Sequence, residues 1–216
     1  MARARARSAS DPPVPIAVLT GAVSAPEGTA ARDVLRAIQE AWQRVGGWYD
    51  PVPKMGKRPD HGWQFVPSNP AHAPRAALAF RAHIRALGEG WDCRVAIGVG
   101  APPERWSPSR DPSACMSPAF AESASAFDAM PRHRAVVHDR ARGPYGAAIA
   151  LLDALSSTWT PAQARVVAEA LAPEALPQVA IARRLGVSQP TVSQILRAAH
   201  GPAVRDALRA LEAAPI

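Results

Sequence analysis

As far as Leu155 the apolar residues of this chain follow two patterns, short unbroken runs and stripes spaced by three and four; beyond Thr158 only the stripes remain. Pro15–Val23 (PIAVLTGAV) is an apolar run with β-branched residues and predicts a buried strand. Gly28–Gly46 carries Val34, Leu35, Ile38, Trp42 and Val45, an amphipathic helix stopped by Gly46-Gly47. Trp48–Pro70 mixes Pro, Lys and aromatics and predicts a strand or hairpin around Trp63–Val66. Ala71–Leu87, with Ala77, Phe80, Ile84 and Leu87 on one stripe, predicts a second helix, and Trp91–Gly98 a second clear strand. The Pro- and Ser-rich stretch 101–117 reads as an irregular loop. A third helix over Pro118–Met130, a short strand over Arg134–Asp139 and a fourth helix over Tyr145–Leu155 follow. Alternation of this kind predicts a sheet covered by helices, of α/β or split-βαβ type.

Ser156-Ser157-Thr158 marks a change. Thr160-Pro161-Ala162-Gln163 has a Thr N-cap, Pro at the first helical position and Gln at the capping-box position, so a helix starts there and runs to about Ala172. A last helix, Pro202–Ala213, carries Val204, Leu208 and Leu211 on a narrow stripe that either closes a small core or forms a dimer seam. The expected organisation is a basic, disordered arm over 1–14, an α/β domain over 15–157 and an all-α domain over 158–216.

The stretch QVAIARRLGVSQPTVSQIL, Gln178–Leu196, carries the most specific signal. Ile181 and Leu185 give one short helical stripe, and Ala182 is small where two helices would cross. Gly186 supplies the positive φ of a tight turn, and Val187 is expected to close that turn from inside. Ser188 is a good N-cap and Pro190 is tolerated in the first helical turn. Val192, Ile195, Leu196 and Ala199 form the inner stripe of a second helix. Gln189, Pro190, Ser193, Gln194 and Arg197 are left outside. A helix-turn-helix needs this division, with one face buried and the other free for the major groove. Gln can bond adenine in bidentate fashion, Ser can bond either base edge, and Arg can reach guanine or phosphate. No acid lies between Ala175 and Asp206, and Arg183 and Arg184 on the first helix suit phosphate contacts. The candidate DNA-binding set is therefore Arg183, Arg184, Ser188, Gln189, Pro190, Thr191, Ser193, Gln194 and Arg197. The alternative is a packed helical hairpin that touches no DNA.

Charge adds little to this. The net charge is +7, with +2 in residues 1–14, +3 in 15–159 and +2 in 160–216, so no segment is a strongly basic patch. Cys93 and Cys115 stand in neither a CxxC nor a CxH spacing and read as two reduced thiols. The six His are scattered, so neither a zinc site nor another cofactor is expected. The arginines of MARARARSAS are followed by no apolar core of a secretory signal, and no apolar run approaches the ~18 residues of a membrane span. A cytoplasmic protein is expected, without membrane association.

Taken whole, Gln178–Leu196 resembles the bacterial helix-turn-helix pattern Q-x-x-[IL]-A-x-x-L-G-[VI]-S-x-x-[TA]-V-S-x-x-[IL], and meets every slot. The preceding TPAQARVVAEAL resembles the scaffold helix of sigma-region-4-like and LuxR-like four-helix units. Upstream, VLTGAV (Val18–Val23), PDHGWQF (Pro59–Phe65), RVAIGVG (Arg94–Gly100) and SPAFAESASAF (Ser117–Phe127) resemble, in their order, motifs of the SatD family. That resemblance implies a ferredoxin-like sheet related to class III nucleotide cyclases, followed by a helix-turn-helix. The cyclase relatives hold divalent metal on two carboxylates, because hard cations beside a triphosphate want oxygen ligands and neutralisation. This chain has Ala22 where the resemblance implies the first carboxylate, which leaves Asp60, with His61 beside it, as the candidate.

The sequence thus predicts an α+β protein, a ferredoxin-like/split-βαβ N-terminal domain followed by an all-α helix-turn-helix domain. The expected function is a DNA-binding transcriptional regulator, not an enzyme, with double-stranded DNA as partner. The N-terminal domain would sense a small-molecule effector or pair two copies as a homodimer. The alternative is a nucleotide-binding sensor or cyclase-like enzyme remnant, in which the helix-turn-helix localises the protein or binds a partner. On that alternative Gly98 and Gly100 would cradle phosphate, and Trp48, Trp63 and Trp91 would stack bases rather than pack a core.

Overall fold

The first apolar run forms strand β1 (Ile16–Ser24) near the middle of a five-stranded sheet in the computed structural model, which describes residues 14–58, 62–140 and 142–214. The other strands are β2 (Met55–Arg58), β3 (Gly62–Phe65), β4 (Asp92–Gly100) and β5 (Val136–His138), in the order β2-β3-β1-β4-β5. All pairings are antiparallel except β4 with β5. The segment around Trp63 is thus a hairpin. Nearly all of the arm over 1–14, with Asp60 and His61, lies outside the described residues; Val14 is exposed.

Strand alternation sends two sets of side chains to opposite faces. Ala17 and Leu19, with Trp63, Phe65, Val95 and Ile97, pack under helices α1 (Ala31–Gly46) and α2 (Ala73–Arg85). On the other face Val18 packs with Ala119 and Phe120 of α3 (Pro118–Asp128). Thr20 points the same way and bonds the Ser123 hydroxyl, while Gln64 Nε2 donates to Thr20 Oγ1 at 3.0 Å. Gly98 and Gly100 are packing residues. A Cβ at Gly98 would stand 2.1 Å from the Ser123 nitrogen, and one at Gly100 2.8 Å from the Ala119 nitrogen, so only glycine lets α3 lie directly on β4. No room remains there for a phosphate. The tryptophans also pack. Trp63 is fully buried and stacks on Phe80 with ring centroids 4.0 Å apart, and Trp48 and Trp91 lean on the same core.

The remaining helices are α4 (Gly143–Ser157), α5 (Pro161–Ala170), α6 (Gln178–Leu185), α7 (Gln189–Ala198) and α8 (Gly201–Ala213). A five-stranded sheet and eight α-helices among the described residues make the protein α+β. Helix α2 sits between the sheet on one side and α4, α5 and α8 on the other. It is buried from Ala73 to Ala82 all round, not along the single stripe expected, and Leu87 at the end of that stripe is exposed. Leu35, expected on the inner stripe of α1, is also on the outside.

The boundary expected at 157/158 falls where α4 ends, yet packing is continuous across it. One cluster runs from Leu19 and Phe80 through Trp159 and Val167 to Leu208. Arginines of α2 hold this junction: Arg81 fixes the end of α4, and Arg75 and Arg85 reach across it. Arg81 forks onto Asp92 at 2.8 and 2.9 Å and donates to Ser156 Oγ at 2.6 Å. Arg75 makes a bidentate pair with Glu212 of α8, its Nη2 donating to Oε2 at 2.8 Å. Arg85 adds a bond to the Trp159 carbonyl at 2.6 Å. Burial would raise the Asp92 carboxyl, but the Arg81 bond and charge, the Cys93 N–H and Arg85 outweigh it and hold the group below the usual carboxylate range. Among the described residues no helix is long and apolar enough to cross a membrane.

Candidate nucleic-acid interface

Helix α5 starts as its sequence dictates. Thr160 Oγ1 accepts the Gln163 N–H at 3.2 Å, and Gln163 Oε1 accepts the Thr160 N–H at 3.0 Å, a full capping box. Just before it, the buried Trp159 indole N–H donates to the Ala199 carbonyl at 3.0 Å and pins the end of α7. Helix α8 buries Val204, Leu208 and Leu211, so its stripe closes the core.

Helix α6 ends at Gly186, which takes the left-handed conformation at φ 68° and ψ 33°. The Gly186 N–H and then the Val187 N–H, at 3.1 Å, both return to the Ala182 carbonyl and close the helix end. This corrects the expectation for Val187. Its main chain closes the turn, while the residue itself is 40% exposed. Ser188 Oγ accepts the Thr191 N–H at 3.2 Å, and the two hydroxyls lie 2.8 Å apart in a further bond. Val192, Leu196 and Ala199 are buried and Ile195 is half-buried, the inner stripe expected.

On the outer side, Gln189, Pro190, Gln194 and Arg197 are exposed, and Thr191 and Ser193 are half-buried. Gln189 Nε2 donates to Gln178 Oε1 at 2.7 Å. That bond holds the Gln189 amide in one orientation and leaves its oxygen to accept. The two arginines of α6 part company. Arg183 is exposed on the side toward solvent, whereas Arg184 donates through Nη1 to Glu169 Oε2 of α5 at 3.1 Å. The face can therefore offer amide, hydroxyl and guanidinium groups to base edges and phosphates, with no carboxylate on α6, on α7 or in the turn between them.

Elsewhere the chemistry is quiet. Among the described residues no three His, Cys, Asp or Glu come together as a metal site. Burial raises the pKa of both Cys93 and Cys115, and both thiols are free. His83 on α2 is pushed down to about 4 by burial and is neutral at neutral pH. Sequence reasoning missed the buried arginines, the Glu169–Arg184 pair and the cleft around it. No local signal marks them: Arg75, Arg81 and Arg85 fall within about a third of the circumference of α2, where a solvated face would be expected. Comparison with known protein families, with curated proteins and with solved structures finds no match for this chain.

Proposed function

We propose that the protein is a DNA-binding transcription regulator in which α6 and α7 act as a helix-turn-helix and α7 enters the major groove. The observation that carries this reading is the outer surface of α7. Gln189, Ser193, Gln194 and Arg197 stand around a buried Val192–Leu196 stripe, on a helix fixed at its start by Ser188 and Gly186. A surface helix that only packs more often carries acids on its outer side; here none repels phosphate. Gln189, oriented by Gln178, and Gln194 read base edges with Ser193. Arg183 and Arg197 meet the backbone.

The strand order β2-β3-β1-β4, with α1 and α2 on one face, supports a ferredoxin-like reading of the N-terminal unit, to which β5 adds a parallel edge. It also supports the resemblance to the SatD family. With Ala22 at the first carboxylate position, that unit is not an enzyme in this reading but a sensing or dimerising part. The protein works in the cytoplasm, on double-stranded DNA. A homodimer on symmetric half-sites would add the affinity that one short recognition helix lacks.

Selection of bound duplexes from a random pool by the full chain, at near-physiological salt, tests the proposal. An enriched motif is expected, and a palindrome with half-sites about one helical turn apart would add the dimer. Retention that depends on salt and shows no sequence preference would overturn the reading.

A further inference from the structure

Between the end of α1, helix α2, α5 and the connection to α6 lies a cleft of about 460 Å3. Its apolar side is Trp48 with Ala168, Ala172, Pro173 and Leu176. Its charged side is Arg44, Glu169 and Arg184. A neighbouring hollow shares those three charges and His83, and adds Arg165. Three arginines thus face two acids, Glu169 inside and Glu174 on the wall, and the neutral His83 contributes no charge.

Glu169 engages its arginines incompletely. It accepts one hydrogen bond from Arg184, while the Arg44 Nη1 stands 3.7 Å from its other oxygen, beyond hydrogen-bond range. Two guanidinium forks with spare donors therefore converge on a cleft with an aromatic wall. A fork is best satisfied by two coplanar oxygens.

We infer that this cleft is a binding site for a small organic monocarboxylate with a flat apolar body. The carboxylate lies between Arg44 and Arg184, and the body lies against Trp48. The cleft's size falls in the range of small-molecule sites. Within the cleft Arg44 and Arg184 balance Glu169 and Glu174, and Arg165 in the adjoining hollow supplies the one surplus cation, which suits a monoanion better than a dianion such as phosphate. Arg184 belongs to α6, so a ligand that takes it from Glu169 acts on the helix to which Gln189 of α7 is bonded. This regulatory consequence rests on the proposed DNA reading; the site itself does not.

The test is titration of the full chain with benzoate and with its neutral counterpart benzamide, followed by ligand-observed NMR. Saturable benzoate binding is expected, with benzamide weaker by about tenfold or more. Arg44→Ala, at an exposed position that tolerates the change in folding, should weaken benzoate about ten- to a hundredfold. Glu169→Gln should tighten it, since the competing carboxylate is gone. Equal binding of the two probes, or no benzoate binding in either the wild type or Glu169→Gln, overturns the site. Unchanged affinity in Arg44→Ala does so as well, and that variant decides alone if Glu169→Gln fails to fold. Duplex retention measured with and without benzoate separates the two claims. Benzoate binding without any duplex retention supports the site and refutes the DNA reading. Retention without benzoate binding refutes the site and leaves the DNA reading standing.

Discussion

Removing the carboxylate charge of Glu212 should destabilise the whole protein, not its last helix alone. Arg75 reaches Glu212 from the first turn of α2, and its side chain is 5% exposed against 18% for Glu212. In Glu212→Gln the guanidinium keeps the Leu171 carbonyl at 3.3 Å but loses its counter-charge. Leaving one partner of a buried pair uncompensated costs about 3–5 kcal/mol. Water already reaches Glu212, so the lower end applies, about 3 kcal/mol. For a chain of this size that corresponds to a Tm lower by about 6–12 °C. Differential scanning calorimetry should show one transition in the wild type and one, shifted down, in the variant, because sheet, α2 and α5–α8 share a single core. Arg75→Met combined with Glu212→Leu should recover most of the loss, since two apolar side chains there need no partner. A shift under about 1 °C, which corresponds to a few tenths of a kcal/mol, would refute the energetic reasoning. Two separate transitions, with only the minor one moved, would refute the continuous core.

Ser193→Ala with Gln194→Ala should weaken binding to a selected DNA site by about 1–3 kcal/mol per lost base contact, read by fluorescence anisotropy. An unchanged sequence preference would reject this recognition face. Arg183→Ala should weaken all duplexes alike and reduce the salt slope by about one unit, and a loss confined to one sequence would assign Arg183 to base reading instead. Asp92, whose carboxyl is held low in the folded state, contributes stability that is complete above its unfolded value of about 4 and lost as pH falls through its folded value. The Tm gap between wild type and Asp92→Asn should therefore be widest near neutral pH and narrow below about pH 4, and an equal gap at pH 7 and pH 3 would exclude this linkage.

Local order was legible because it is written in neighbours. The run at β1, the capping box at Thr160 and the Gly186–Ser188 turn each follow from residues within a few positions of one another, and all three stand where the sequence puts them. The inner stripe of α7 and the exposure of Gln189, Gln194 and Arg197 follow from the helical period alone. What periodicity cannot carry is the number of faces a helix buries. The stripe read on α2 is real, but its other side is covered by helices more than 60 residues further along the chain, which turns Arg75 and Arg81 into buried anchors.

The sequence by itself determined the elements, their order, the α+β class and the acid-free surface of α7, because propensity, capping and hydrophobic period act over one or two turns of chain. Only the tertiary structure decided that the presumed boundary at Ser157 is clamped by Arg81 and Arg85, and that Gly98 and Gly100 serve close packing of α3. It also drew Arg184 away from the outer face to Glu169, beside the cleft at Trp48. Each of these depends on which distant side chain fills the space opposite. That is fixed by mutual burial and charge pairing across the whole chain, and no local window contains both partners.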